Sequence, residues 1–158
     1  KEVFAIMNYA VDDNERPIFY KKVVETVVHE FCHSFTKIKG DTEKALEKSG
    51  KALQEYTYFS KRRQACSTWR NILEVSLVRA ATICYLIDHD YDEKDIRNAI
   101  IEQVDRNFFW MPELVQTLRY YESHRKKYPT FTSFYPEIIR FFDRYVADVE
   151  KEIQKALK

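Results

Sequence analysis

Only two glycines, Gly40 and Gly50, interrupt the 158 residues. Glycine supplies the left-handed backbone of sharp turns, so a chain nearly without it has few places to reverse tightly and is disposed to long helices. The apolar residues recur at helical spacing between polar breaks, and six helices are predicted on that basis. Pro17 suits the first turn of a helix running to about Ile38, which Gly40 ends. Asp41 caps a second, from Thr42 to about Lys61, and Ser67 or Thr68 a third, from Trp69 to about Ile87. A fourth spans about Glu93 to Asn107, Pro112 opens a fifth that reaches Lys127, and Thr132 or Ser133 starts a sixth that runs to the end. Ahead of them, Glu2 to Ala10 is rich in Val, Phe, Ile and Tyr and reads as one strand. The expected fold class is therefore mainly α (α+β), about six helices with an N-terminal edge strand. That strand must find a partner, either in sequence before Lys1 or in a short segment that carries no clear pattern.

A chain of this length fits one domain with a core of its own. It opens at Lys1 with neither a Met nor a signal peptide, as a processed protein or a piece of a longer one does. Lys and Arg number 26 against 25 Asp and Glu. Such a balance leaves no electrostatic footprint for nucleic acid or an anionic membrane. No apolar run approaches the roughly 20 residues that cross a bilayer. Cys32, Cys66 and Cys84 are too few and too scattered for a disulfide framework or a CxxC zinc knuckle, and they read as small core hydrophobes.

The chemistry concentrates in HEFCH, residues 29–33. Two histidines four apart on a helix project from one face about a turn apart, which offers two nitrogens to one zinc ion. Glu30 lies about 100° round from His29, within reach of a metal-bound water without ligating the metal. An HExxH string arises by chance in roughly one chain of this composition in a hundred, so its surroundings count. Val24, Val27, Val28, Phe31 and Phe35 gather on one side of the predicted helix. His29 and His33 fall opposite, beside Lys22, Thr26 and Thr36, which predicts an apolar back and a pair of histidines turned to an opening.

A catalytic zinc takes three protein ligands and keeps one position for water. A third histidine at the HExxHxxGxxH spacing is excluded, because positions 36 and 39 hold Thr36 and Lys39. His89 and His124 are the remaining histidines. The stronger candidate is Glu74 in the third predicted helix, aligned with Val78, Ala81 and Tyr85 on a mainly apolar stripe. A carboxylate there is costly to bury without a cationic partner, and zinc would be one. A salt bridge to Arg70 or to a more distant base is the other possibility. Arg79 lies about 140° round from Glu74 and does not share its face.

HEFCHSF followed by LEVSLVRA resembles the gluzincins, peptidases with HExxH and a ligand Glu on a later helix. More closely, the chain resembles a family of secreted bacterial proteins classed as a domain of unknown function, with metallopeptidase-type sites. The matching stretches are HEFxHSF, an E-x-x-x-x-R-A helix (Glu74, Arg79, Ala80) and the aromatic segment YYESHRKKYPTFTSFYPEIIRFF. The resemblance implies a zincin-like domain, Zn2+ held by His29, His33 and Glu74, Glu30 as general base, a peptide or protein substrate, and export from a bacterial cell. It departs from thermolysin-like enzymes at Val78, where they often carry an acid that orients a ligand histidine. Tyr121, His124, Arg125 and Tyr128 form the pool of donors for the oxyanion, with Tyr121 and His124 foremost. The strand Glu2–Ala10 could hold substrate by edge pairing. The run Arg125–Lys127 reads as a solvated helix end. The expected function is a zinc-dependent peptidase; the alternative is a helical binding or scaffold module with a structural or vestigial zinc site.

Overall fold

A computed structural model describes residues 10–57 and 68–158. Two short strands, β1 (Ala10–Val11) and β2 (Pro17–Ile18), pair antiparallel with Ala10 opposite Ile18. Six helices follow: α1 (Lys21–Cys32), α2 (Asp41–Thr57), α3 (Trp69–Asp88), α4 (Glu93–Asp105), α5 (Met111–Ser123) and α6 (Phe131–Ala156). The fold is mainly α, with its small sheet at the N-terminal side, as the sequence predicts. The predicted strand Glu2–Ala10 lies outside the described residues except for Ala10, as do Cys66, Ser67 and the predicted end of the second helix at Lys61.

Helix α3 organises the rest. It packs against α1, α2, α4 and α5, while α6 closes the far side against α2 and α5. Its sequence explains the position: Ile72, Leu73, Leu77, Val78, Ala80, Ile83, Cys84 and Leu86 are all buried, so apolar residues cover most of its circumference. Gly50 lets α2 come close, since a Cβ there would stand 2.5 Å from the Trp69 ring. Trp110 anchors the core beneath α3: it is fully buried, its indole N–H donates to Ser76 Oγ (3.0 Å), and that hydroxyl donates to the Ile72 carbonyl (2.7 Å).

Several helix boundaries differ from the sequence reading: α5 stops at Ser123, four residues short of Lys127, and the two ends of α1 differ most. Pro17 is in β2, not in the first turn of α1, because Asp12 organises a turn by accepting from the N–H groups of Asn14 and Arg16 and so folds the segment back as a hairpin. At the other end α1 stops at Cys32, well short of Ile38. Two tertiary hydrogen bonds take over the backbone there, with Glu74 accepting from the Ile38 N–H (2.9 Å) and Tyr135 donating to the Lys37 carbonyl (3.1 Å), and locally Thr36 Oγ1 donates to the Cys32 carbonyl (3.1 Å). Gly40, at φ +61°, then makes the turn into α2. The sixth helix starts one to two residues early, with Thr130 and Ser133 forming a reciprocal capping box.

Candidate metal centre

His29 sits in the last turn of α1 and His33 is its C-terminal cap, still in right-handed helical conformation (φ −58°, ψ −21°). The helical spacing therefore survives across HEFCH. The imidazole centroids are 5.2 Å apart and the rings are inclined at 80°. Two imidazoles on one tetrahedral zinc, with Zn–N near 2.1 Å, would place their centroids about 5 Å apart. The pair fits a shared metal. An edge-to-face ring contact falls in the same range, so this spacing is necessary for a metal site without being sufficient. Burial lowers the His29 pKa first, His33 and Arg79 add to the effect, and Glu30 opposes it. The lowered value favours the neutral imidazole, the form that ligates. Glu30 is exposed.

The face presented by α1 differs from the sequence expectation. Phe31 and Phe35 are 43% and 46% exposed, and Val24, Val27 and Val28 are only half-buried. The predicted apolar back is thus only partly covered; Val23 and Cys32 are the buried residues of α1, and Cys32 lies at the seam with α3. Two cavities flank that seam. On one side, a cavity of about 320 Å³ is lined by Glu25, Thr26 and His29 of α1 and by Arg79, Thr82 and Leu86 of α3. On the other, a more apolar cavity of about 500 Å³ is lined by Val28, Cys32 and Phe35 with Ala81, Tyr85 and Tyr121. His29 is therefore a half-buried group of a helix–helix seam whose ring opens on the first cavity.

The other sequence candidates are distributed elsewhere. Glu74 is buried in α3, where its carboxylate accepts from the Ile38 N–H and faces Lys37 Nζ at 3.4 Å. Its partner is the distant base that was the alternative to zinc; Arg70 instead pairs with Glu43. Among the described residues, no three His, Cys, Asp or Glu side chains come together as a metal-holding group. The two histidines fit a metal, and Glu74 as placed does not join them. Tyr121 is buried in the apolar cavity with the Arg125 guanidinium over its ring at 4.5 Å. His124 caps α5 on the surface, its ring tilted against that of Tyr120, with Nδ1 2.9 Å from the Tyr120 carbonyl. Tyr128 donates to Glu137. None of the four proposed oxyanion donors lines the cavity that holds His29.

The sequence reading named Arg79 only within the E-x-x-x-x-R-A stretch and as off the face of Glu74, and did not single out Gln103. Arg79 Nη1 donates to Gln103 Oε1 (2.9 Å), and its guanidinium stands over Phe108 at 4.7 Å. The signal available was phase: Arg79 and Thr82 share a stripe of α3 that Glu74 does not. Cys32 and Cys84 are buried, and burial pushes their thiols up to about 11 and about 12, as suits core residues.

Residues 3–141 match the family model described as a domain of unknown function, DUF4932. The chain belongs to that family. No curated protein and no solved structure matches this DUF4932 chain. Among its described residues no helix is long and apolar enough to cross a membrane.

Proposed function

We propose that this DUF4932 domain is a zinc-dependent peptidase domain in which His29 and His33 hold the metal and Glu30 serves as general base. The observation that carries the reading is the His29–His33 pair, 5.2 Å between centroids on one turn, with Glu30 exposed beside it. A bound zinc would supply an acidified water and polarise the scissile carbonyl. Glu30 would take the proton of the attacking water and return it to the leaving amine. His29, held neutral by burial, keeps its nitrogen available to the metal. The 320 Å³ cavity beside it provides polar space for substrate. Tyr121 and His124 remain candidates for the oxyanion only if substrate binding brings them round, since the structure places them on other faces. Export from a bacterial cell is part of the same proposal.

One observation favours the second reading, a binding or scaffold module with a vestigial metal site. Glu74 is already engaged by Lys37 and Ile38. The two readings separate on Glu30→Gln. A variant that keeps zinc and loses peptide hydrolysis supports the peptidase. Equal hydrolysis by variant and parent, or none by zinc-loaded parent over a broad peptide library, decides against it.

A further inference from the structure

The smaller cavity is a groove between helices. Among the described residues α1 and α4 each pack on α3 but not on one another, and Lys21 Nζ spans the gap to Asp95 at 4.0 Å. The floor is Arg79, Thr82, Ile83 and Leu86 of α3, with His29 on the α1 wall and Ala99 and Gln103 on the α4 wall. Its volume of about 320 Å³ is that of about ten waters, room for about one amino-acid residue.

Arg79 is the long side chain of that floor, and its contacts draw it to one side. Nη1 donates to Gln103 Oε1 (2.9 Å), Gln103 Nε2 donates to the Ala99 carbonyl (3.3 Å), and the guanidinium stands over the buried Phe108 ring at 4.7 Å. Gln103 is on α4 and Phe108 just past its end, so the guanidinium is held on the wall opposite His29. The bond to Ala99 fixes the Gln103 amide with its oxygen towards Arg79, which orients the guanidinium before any ligand arrives. Gln103 and Phe108 are uncharged and position the cation without neutralising it. At the rim Arg106 pairs with Glu102, and Lys22 Nζ lies 4.0 Å from Glu25. With Arg79 the lining carries three cations against two carboxylates, and Ile83, Leu86 and Ala99 add an aliphatic surface.

We infer that Arg79 anchors the terminal carboxylate of a peptide whose last residue lies in this groove, between the guanidinium and His29. The planar guanidinium matches a carboxylate, and the aliphatic surface covers the side chain that accompanies it. This rests on the peptidase reading and gives it a substrate class, peptides with a free C-terminus. A purely structural tie between α3 and α4 would show no preference for an acid over its amide.

Titration of the intact chain with N-acetyl-Ala-Leu and with its C-terminal amide tests the anchor without metal, followed by NMR of the backbone and arginine side-chain N–H groups. The parent should bind the acid at least about tenfold more tightly than the amide, the worth of one charge-assisted hydrogen bond. Arg79→Gln, its folding checked by circular dichroism, should bind the two alike, while Arg140→Gln on α6 should keep the parent's preference. Where Arg79→Gln fails to fold, Arg79→Lys replaces it; keeping the charge without the fork, it should weaken the acid and leave the amide unchanged. Equal affinities in the parent, failure of both peptides to shift the groove resonances, or a preference that survives in folded Arg79→Gln would overturn the inference. Loss of the preference in Arg140→Gln as well would assign it to overall charge and overturn it too. Hydrolysis by the zinc-loaded parent separates the two readings. An Arg79-dependent preference without hydrolysis keeps the anchor and brings down the peptidase; hydrolysis of the amide as fast as of the acid keeps the peptidase and brings down the anchor.

Discussion

Replacing Glu74 by alanine tests the structural task assigned to it. The carboxylate accepts from a buried backbone N–H at 2.9 Å, and its second oxygen lies 3.4 Å from Lys37 Nζ, whose side chain is 49% exposed. The two contacts have different worth. A hydrogen bond from a buried N–H to a charged acceptor contributes about 1.5–3 kcal/mol, and removing the acceptor leaves the Ile38 N–H unpartnered. The ion pair to a half-exposed lysine is screened by water and contributes about 0.2–1 kcal/mol. Glu74→Ala should therefore cost about 2–4 kcal/mol, which for a chain of this size lowers Tm by about 5–12 °C. Glu74→Gln retains an acceptor oxygen and should cost about 1 kcal/mol, and Lys37→Met less than that. Urea denaturation followed by circular dichroism, with the slope unchanged, measures all three. A loss below about 0.5 kcal/mol in Glu74→Ala, or a Lys37→Met loss equal to it, would refute the ranking of hydrogen bond over ion pair.

Further expectations concern the seam and the core. Gly50→Ala brings a methyl to 2.5 Å from Trp69, so overpacking of about 1–3 kcal/mol outweighs the gain of about 1 kcal/mol in helix propensity. In a Trp69→Leu background the same change should become neutral or stabilising; persistence of the full loss would exclude that clash as the cause. Ser76→Ala orphans the buried Trp110 indole N–H and should cost about 1–3 kcal/mol in urea unfolding. The His29 pKa is lowered in the fold, so the unfolded chain takes up that proton first. Its contribution to stability is present above about pH 6.5 and is lost as pH falls through the folded value, and a His29→Gln variant should show a flatter decline between pH 7 and 5. Cys32 and Cys84, with thiols held up near 11 and 12, should resist alkylation at pH 7.5 in a Cys66→Ser protein and react only on unfolding.

Helix content was legible because local rules carry it: Thr68 accepted the cap, and the 93–105 helix fell within its predicted span, while Gly40 makes the turn into α2 rather than ending α1. The end of α1 was not legible. Periodicity continues past Cys32 in the sequence, and what stops the helix there is a set of side chains from α3 and α6, Glu74 and Tyr135, that no local pattern announces. Pro17 misled for the same reason in reverse. A proline suits helix entry and an edge strand equally, and the Asp12 turn decided between them.

The candidate centre divides along the same line. HEFCH lies within a single helical turn, so sequence spacing alone fixes how its two imidazoles stand to one another, and the structure gives a separation a metal could use. A third ligand has to come from another helix, and there spacing fixes only the stripe, not which flank of the seam the stripe meets. Glu74 was attractive as a buried carboxylate on an apolar stripe, an argument that demands a partner without naming it. Lys37 and the Ile38 N–H meet that demand. Burial cost therefore distinguishes a paired carboxylate from an unpaired one, but not a metal from a lysine. Only the position of the residue against the histidines does so, and the α3 residues that line the cavity with His29 are Arg79, Thr82, Ile83 and Leu86. Whether the HEFCH helix works as a catalyst thus turns on what completes the coordination of its two histidines.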